Sequence, residues 1–188
     1  MTVPFRDAAE LDAGGTAAFL RIVHGRTEAE RRGALFQINA RGEPVEFTFN
    51  LVELPSSALW RPEDLERQAV KSLTKSLFEG AKRTPLLLLC RATEVAPSLF
   101  GEDLEVQIFV CRIATADDAL VPDPGEAAEE RRSGEQVVHL FWRPEVPGSE
   151  SPPRRLVATL AARGLLLEPF ERALAGLEEA FDRGHEPH

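Results

Sequence analysis

Residues 33–51 read GALFQINARGEPVEFTFNL and hold the clearest structural signal of the chain. Over residues 45–51 every second side chain is apolar and those between are polar, which is the period-two pattern of a half-buried β-strand. A short connection containing Gly42 separates this run from the apolar run 33–39. Two such runs joined by a few residues that include glycine predict a β-hairpin.

Four more strands and three helices are predicted around the hairpin. Residues 86–90 are short and apolar throughout, as in a strand covered on both faces. A helix is expected to begin at Pro62, because proline favours the first helical turn, and to end at Gly80. The other segments are strands at 16–24, 104–113 and 136–142, and helices at 154–163 and from 168 or 169 to 183.

The order of these elements predicts an α+β fold. We expect a mixed, largely antiparallel sheet of about six strands with helices packed on it and a C-terminal helical pair. Residues 143–153 carry four prolines and two serines, which is typical of a linker. We therefore expect a sheet domain over 1–145, and a linker and helical pair over 146–188 that dock on the same domain.

Two segments are predicted to lack regular structure. Residues 115–135 contain seven acidic residues against two arginines, together with Pro122, Pro124 and Gly125. This composition predicts a mobile surface loop with a short helical turn at 127–131. Residues 1–15 read as a loose lead-in to the first strand.

The overall charge restricts the partners that the chain can bind. The net charge is −9, so long-range repulsion disfavours general coating of nucleic acid and binding to anionic membranes. The start of the chain lacks the pattern of a signal peptide, and its apolar runs are far shorter than the ~20 residues of a membrane-spanning helix. We expect a cytoplasmic protein of bacterial type with no membrane partner.

The cysteines and histidines predict no cofactor and no metal. Cys90 and Cys111 each end an apolar run, so they read as buried thiols, with a single bridge between neighbouring strands left open. His139 reads as a structural strand residue and His24 as a polar strand end. The remaining histidines, His185 and His188, lie in the terminal tail.

The order of the elements resembles that of ribonuclease-H-like domains. Nucleases of that kind hold two divalent metals with clustered carboxylates, so the resemblance implies an acid in the first strand and another after the fourth. The first strand holds none between Ala17 and Val23, and the nearest acid after the fourth is Glu94. Glu46 and Glu105 are expected to face water. We therefore expect a sheet of this kind without a full set of catalytic acids, and the sequence favours a role that is not enzymatic.

The predicted first helix carries a basic stripe. Positively charged side chains recur every four residues on one face, and more follow the helix; together they are Arg67, Lys71, Lys75, Lys82 and Arg83. They are candidates for binding a protein partner or a phosphate backbone. The alternative is a solvated helix face whose cations pair with Glu63, Glu66 and Glu79.

The last helix carries a narrow apolar seam at coiled-coil spacing, formed by Leu167, Phe170, Leu174, Leu177 and Phe181. Such a seam either docks on the chain's own sheet or forms an interface with a partner or a second copy.

Two functional interpretations follow from these features. The first is a non-enzymatic cytoplasmic accessory protein that binds a protein partner through the basic helix face or the apolar seam, with a homodimer as a further possibility. The alternative is a nucleic-acid-processing or nucleic-acid-binding protein with a ribonuclease-H-like sheet. The acidic net charge makes the nucleic-acid interpretation the less favoured of the two.

Overall fold

A computed structural model describes residues 2–4, 15–54 and 60–182. Eight strands among these residues form one sheet: β1 (Thr2–Pro4), β2 (Thr16–His24), β3 (Glu30–Asn39), β4 (Pro44–Glu53), β5 (Leu87–Arg91), β6 (Phe109–Thr115), β7 (Ala127–Ser133) and β8 (Gln136–Arg143). Their spatial order is β1-β4-β3-β2-β5-β6-β8-β7. The pairs β2–β5 and β5–β6 are parallel and the other neighbours are antiparallel. The predicted class, a mixed and largely antiparallel α+β sheet, is confirmed.

In the described part of the chain, three helices cover the sheet: α1 (Pro62–Gly80), α2 (Pro152–Ala162) and α3 (Glu168–Asp182). α1 packs on one face, where its Leu73 and Leu77 join a core with residues of β2, β3 and β5. α2 and α3 pack on the opposite face, where Phe170 meets Phe19 edge-on at 5.1 Å between ring centroids. The central strands are therefore buried on both sides, which explains why residues 87–90 are apolar without alternation.

The sheet has two more strands than the sequence predicted, because both segments expected to be irregular contribute one. Residues 2–4 pair with β4, while residues 5–14 of the expected lead-in lie outside the described residues. The helical turn expected at 127–131 is wrong: these residues belong to β7, an edge strand paired with β8. Outward and inward side chains alternate along β7. The charged side chains can therefore lie on the outer face, where they do not prevent the segment from forming a strand.

Other boundaries differ less. The strand expected at 104–113 begins only at Phe109, because residues 101–108 follow a short 3-10 turn, Pro97–Phe100, in irregular conformation on the α1 side of the sheet. The last helix ends at Asp182 in the described part of the chain, and Arg183 lies outside it, as do His185 and His188. No helix among the described residues has the length and apolar character required to span a bilayer.

The two cysteines lie on neighbouring strands but on opposite faces of the sheet. Cys90 packs in the α1 core and Cys111 packs in the α2–α3 core. Cys111 is level with Leu89 rather than with Cys90, so the thiols point away from each other and cannot form the bridge that the sequence left open. Burial raises the pKa of both thiols, which makes them unreactive.

The apolar seam of α3 docks on the chain's own sheet. Phe170 and Leu177 are buried in the core, and Leu167 and Phe181 pack against it. Leu174 is half-buried. The packing therefore occupies the face that the sequence also allowed for a partner or a second copy.

Candidate functional site

The parallel strands β2 and β5 end at the same edge of the sheet, and Glu94 follows β5 there. Its carboxylate accepts a hydrogen bond of 3.1 Å from the backbone N–H of Ile22 and lies 3.2 Å from Nε of Arg21. Arg21 also reaches Glu171 of α3 at 3.6 Å. Burial raises the pKa of Glu94, against the opposing effect of the Arg21 charge. Glu94 is thus a shielded carboxylate held by an arginine.

A cavity of about 410 Å³ lies beside Glu94. Its wall includes His24, which is exposed at the end of β2, and the ion pair between Arg31 of β3 and Glu66 of α1. Nε of Arg31 donates hydrogen bonds of 2.8 and 2.9 Å to the two carboxylate oxygens of Glu66. Crevices outside the carboxyl ends of parallel strands are the usual ligand sites of such sheets, which makes this edge the candidate site.

The donor set at this edge does not fit a two-metal site. Leu20 of β2 is level with Cys90 of β5, so β2 presents Leu20, Arg21 and Ile22 at the height where the resemblance implied an acid. Over residues 15–54 and 60–182, no group of three or more His, Cys, Asp or Glu side chains lies close enough to hold a metal ion. A single carboxylate already paired with arginine is a poor substitute for the cluster that two metals need.

Glu46 does not face water, so the sequence prediction for this residue is wrong. Its side chain is buried at the opposite end of the sheet, where it accepts hydrogen bonds from the backbone N–H groups of Lys82 (2.7 Å) and Arg83 (3.1 Å). This carboxylate fixes the turn that follows α1 and cannot converge with Glu94. Glu105 is exposed, in the irregular segment before β6.

The basic stripe is spread along α1, and part of it is neutralised. Arg67 donates to Asp103 (2.7 Å) and Glu102 (2.8 Å), and these hydrogen bonds raise its pKa. Lys75 lies 3.7 Å from Glu79. Lys71 is half-buried, and Lys82 and Arg83 are exposed after the helix.

An exposed aromatic residue that sequence reasoning missed precedes α1, the helix that contributes Glu66 to the cavity wall. Of the aromatic side chains that the structure describes, Trp60 alone is largely exposed, at 53%. It precedes α1 by two residues, and α1 reaches the cavity within its first turns through Glu66. The Trp-Arg-Pro sequence predicts the start of a helix, but the exposure of the Trp60 side chain depends on how the rest of the chain packs around that residue.

The fold, rather than the sequence, relates the chain to solved structures. An endonuclease V from Streptomyces avermitilis matches with a TM-score of 0.60 and 13% identity, over 92% of this chain and 83% of that one. An endonuclease V from Bacillus subtilis matches with a TM-score of 0.53 and 12% identity, over 97% of this chain and 87% of that one. The sequence matches no protein-family model, and no curated protein matches it. At such identities the likeness shows the fold alone.

These neighbours correct the functional interpretation. A non-enzymatic accessory protein that acts through protein–protein contacts was the first interpretation of the sequence, and the endonuclease V structures contradict it. The packing of the α3 seam on its own sheet also occupies one of the two surfaces that this interpretation offered. The ribonuclease-H-like alternative is the one that the comparison favours.

Proposed function

We propose that this chain binds nucleic acid at the edge where β2 and β5 end, and does not cut it through a two-metal site. The observation that carries this proposal is the shared fold, which extends over 92% of the chain for one endonuclease V and 97% for another. An endonuclease acts on nucleic acid, and the edge of this chain has groups suited to contact it.

The cations of this edge support the proposal. Arg31 lines the cavity, Arg21 pairs with Glu94 of its wall, and Arg26 lies two residues after the end of β2. Arginine presents a planar set of donors that matches phosphate oxygens. Each of these arginines now pairs with an acid, Arg26 with Asp182 at 3.0 Å. A phosphate backbone would have to replace part of these ion pairs, so we expect moderate affinity that depends on salt.

Trp60 supplies the second kind of contact. Indole faces stack on unpaired bases, and such stacking contributes about 1–3 kcal/mol per base whatever the sequence. We therefore propose that the preferred ligand has unpaired bases near the edge, where the backbone contacts the arginines and one base contacts Trp60.

Glu94 acts as a positioning residue. Its carboxylate orients Arg21 and caps the backbone N–H of Ile22. The single carboxylate supplies no pair of metal ligands and takes part in no cleavage step.

The test uses the intrinsic fluorescence of the two tryptophans. Trp142 is fully buried and donates its indole N–H to Glu129 at 3.0 Å, whereas Trp60 is exposed. Stacking of a base on Trp60 should quench its emission, so a thymidine oligonucleotide is expected to quench the wild type at low salt. Trp60→Leu should lose the quenching and weaken binding about fivefold or more in an anisotropy titration. The matched control is Val121→Ala, at an exposed apolar residue in the connection between β6 and β7.

The same oligonucleotide and its duplex are then incubated with Mg²⁺ or Mn²⁺. We expect no cleavage above background, and no change with Glu94→Gln. Metal-dependent cleavage that Glu94→Gln abolishes would contradict the non-cutting part of the proposal. Absence of binding to single strand, duplex and RNA at low salt would overturn the proposal as a whole.

A further inference from the structure

A second cavity, of about 460 Å³, lies at the opposite end of the sheet, where β6 begins and β8 ends. Its volume falls in the range of about 300–1,000 Å³ typical of small-molecule sites. The floor is apolar and belongs to the α1 core; its residues are Phe100, Leu104, Val106, Ile108 and Val110.

One cation borders this apolar floor. Arg143, the last residue of β8, lines the cavity and is half-buried. Within residues 15–54 and 60–182, its guanidinium has no hydrogen bond or ion pair to another side chain. A guanidinium that is partly removed from water and has no counter-ion is stabilised when an anion binds to it.

The backbone beneath Arg143 leaves room for its side chain. A Cβ atom at Gly101 would lie 2.8 Å from Nη1 and 3.0 Å from Cζ of Arg143. The absence of a side chain at Gly101 therefore allows the guanidinium to lie across the loop, where it faces the cavity.

We propose that this cavity binds a small molecule with an apolar body and one carboxylate, and that the carboxylate pairs with Arg143. The apolar floor contacts the body, and the guanidinium donates two parallel hydrogen bonds to the two carboxylate oxygens. The negative charge nearby limits the ligand to one anionic group. Glu102 is turned towards Arg67, whereas Glu105 is exposed at the cavity and would repel a second charge. This site is separate from the nucleic-acid edge and does not depend on it.

The first experiment compares 4-phenylbutanoate with 4-phenylbutan-1-ol, which has a similar body and no charge. Calorimetric titration of the full chain should give a Kd for the carboxylate about tenfold lower than for the alcohol, as a charge-assisted hydrogen-bond pair implies. Chemical-shift changes in the ¹⁵N-labelled protein should be largest at residues 100–110.

Variants then assign the charge. Arg143→Gln should reduce carboxylate affinity to that of the alcohol, and Glu105→Gln should increase it. Gly101→Ala keeps every charge but displaces the guanidinium, so it should also weaken carboxylate binding. The matched control is Arg163→Gln, which removes the same charge after α2 on the other face of the sheet. Thermal unfolding of each variant shows that the fold is kept.

Three results would overturn the proposal: no binding of either compound at millimolar concentration, equal affinity for the acid and the alcohol, or an effect of Arg163→Gln as large as that of Arg143→Gln. None of them bears on nucleic-acid binding, so the two proposals fail independently.

Discussion

Glu129 connects three elements through a single carboxylate. It lies on β7, accepts the indole N–H of Trp142 on β8 at 3.0 Å, and accepts two N–H groups of Arg154 on α2, one of them at 2.7 Å. Burial alone would raise the pKa of Glu129, but the donors outweigh it, so the pKa is lowered from the ordinary value of 4.5. The folded state therefore favours the ionised form more strongly than the unfolded chain does.

This shift sets a pH dependence with a definite sign. A carboxyl whose folded pKa is lowered contributes stability above its unfolded pKa, and that contribution is lost as the pH falls through the folded pKa. We expect Glu129→Gln to lower the free energy of unfolding in urea at pH 7. The difference between wild type and variant should shrink as the pH drops below 4.5. A difference that stays constant down to pH 3 would contradict the assignment.

Single residues also show why the sequence could not place the buried acids. The alternation over 45–51 predicts the strand correctly, yet it also predicts that Glu46 is exposed to solvent. In the structure Glu46 is buried. The carboxylate is buried because two backbone N–H groups after α1 need an acceptor at that point. That requirement comes from a segment more than thirty residues away, and the local pattern contains no sign of it.

At the level of elements, α3 lies close to the sheet at Gly176. A Cβ atom there would lie 2.8 Å from the ring of Phe47 on β4, which is itself buried. Gly176→Ala should gain about 1 kcal/mol of helix propensity and lose about 1–3 kcal/mol to overpacking. We therefore expect a net loss of about 1 kcal/mol in the free energy of unfolding.

The control for this prediction is the neighbouring exposed position Ala175. Ala175→Gly should cost about 1 kcal/mol from propensity alone, which shows that alanine is the better helix former on this helix. If Gly176→Ala instead stabilises the chain in the same denaturation assay, the close approach of α3 to Phe47 is not what limits residue 176.

Strand β7 shows why a highly charged segment can be mistaken for a loop in its sequence. Seven acids over residues 115–135 suggest a solvated loop, but an edge strand needs only one inward-facing row, and outward charge protects its free edge. The pairing with β8 and the buried ion pair between Arg112 and Glu126, with hydrogen bonds of 2.8 and 3.0 Å, hold the segment to the sheet. Neither contact is visible in a short window of sequence.

At the scale of the whole molecule, the net charge is acidic, so basic side chains without an acidic partner are the groups best placed to bind phosphate. Lys71, Lys82 and Arg83 have no acidic partner among the described residues, whereas Arg67 and Lys75 do. We expect them to act as a second set of phosphate contacts, on α1 and on the turn that follows it. Replacing all three with glutamine should weaken oligonucleotide binding and reduce the slope of log K against log salt by up to about 0.7 per contact on a single strand.

A triple variant on other parts of the surface, Arg132, Arg155 and Arg163 to glutamine, changes the net charge equally. It should alter the affinity slightly and leave the salt slope unchanged. Equal slopes in both triple variants would show that the basic stripe only adjusts the overall field of the molecule and makes no phosphate contact.

The fold could be predicted at this scale more completely than the site. Hairpin alternation, Pro62 at a helix start and the apolar central strand are local features, and together they gave the correct class. The candidate edge depends on β2 and β5 meeting in parallel across seventy residues of chain, on Arg21 reaching Glu94, and on Trp60 staying exposed. Long-range packing determines each of these, so the sequence singled out Glu94, the acid that follows β5, but not the contacts around it.

The back-to-back cysteines have a practical consequence. Each thiol is shielded by a different helical layer, α1 over Cys90 and the α2–α3 pair over Cys111. A thiol-modifying reagent can reach either sulfur only while its own layer is detached from the sheet. In variants that keep only one of the two cysteines, the modification rate therefore measures the local opening of one helical layer. Comparison of the two modification rates shows which helical layer separates from the sheet more readily.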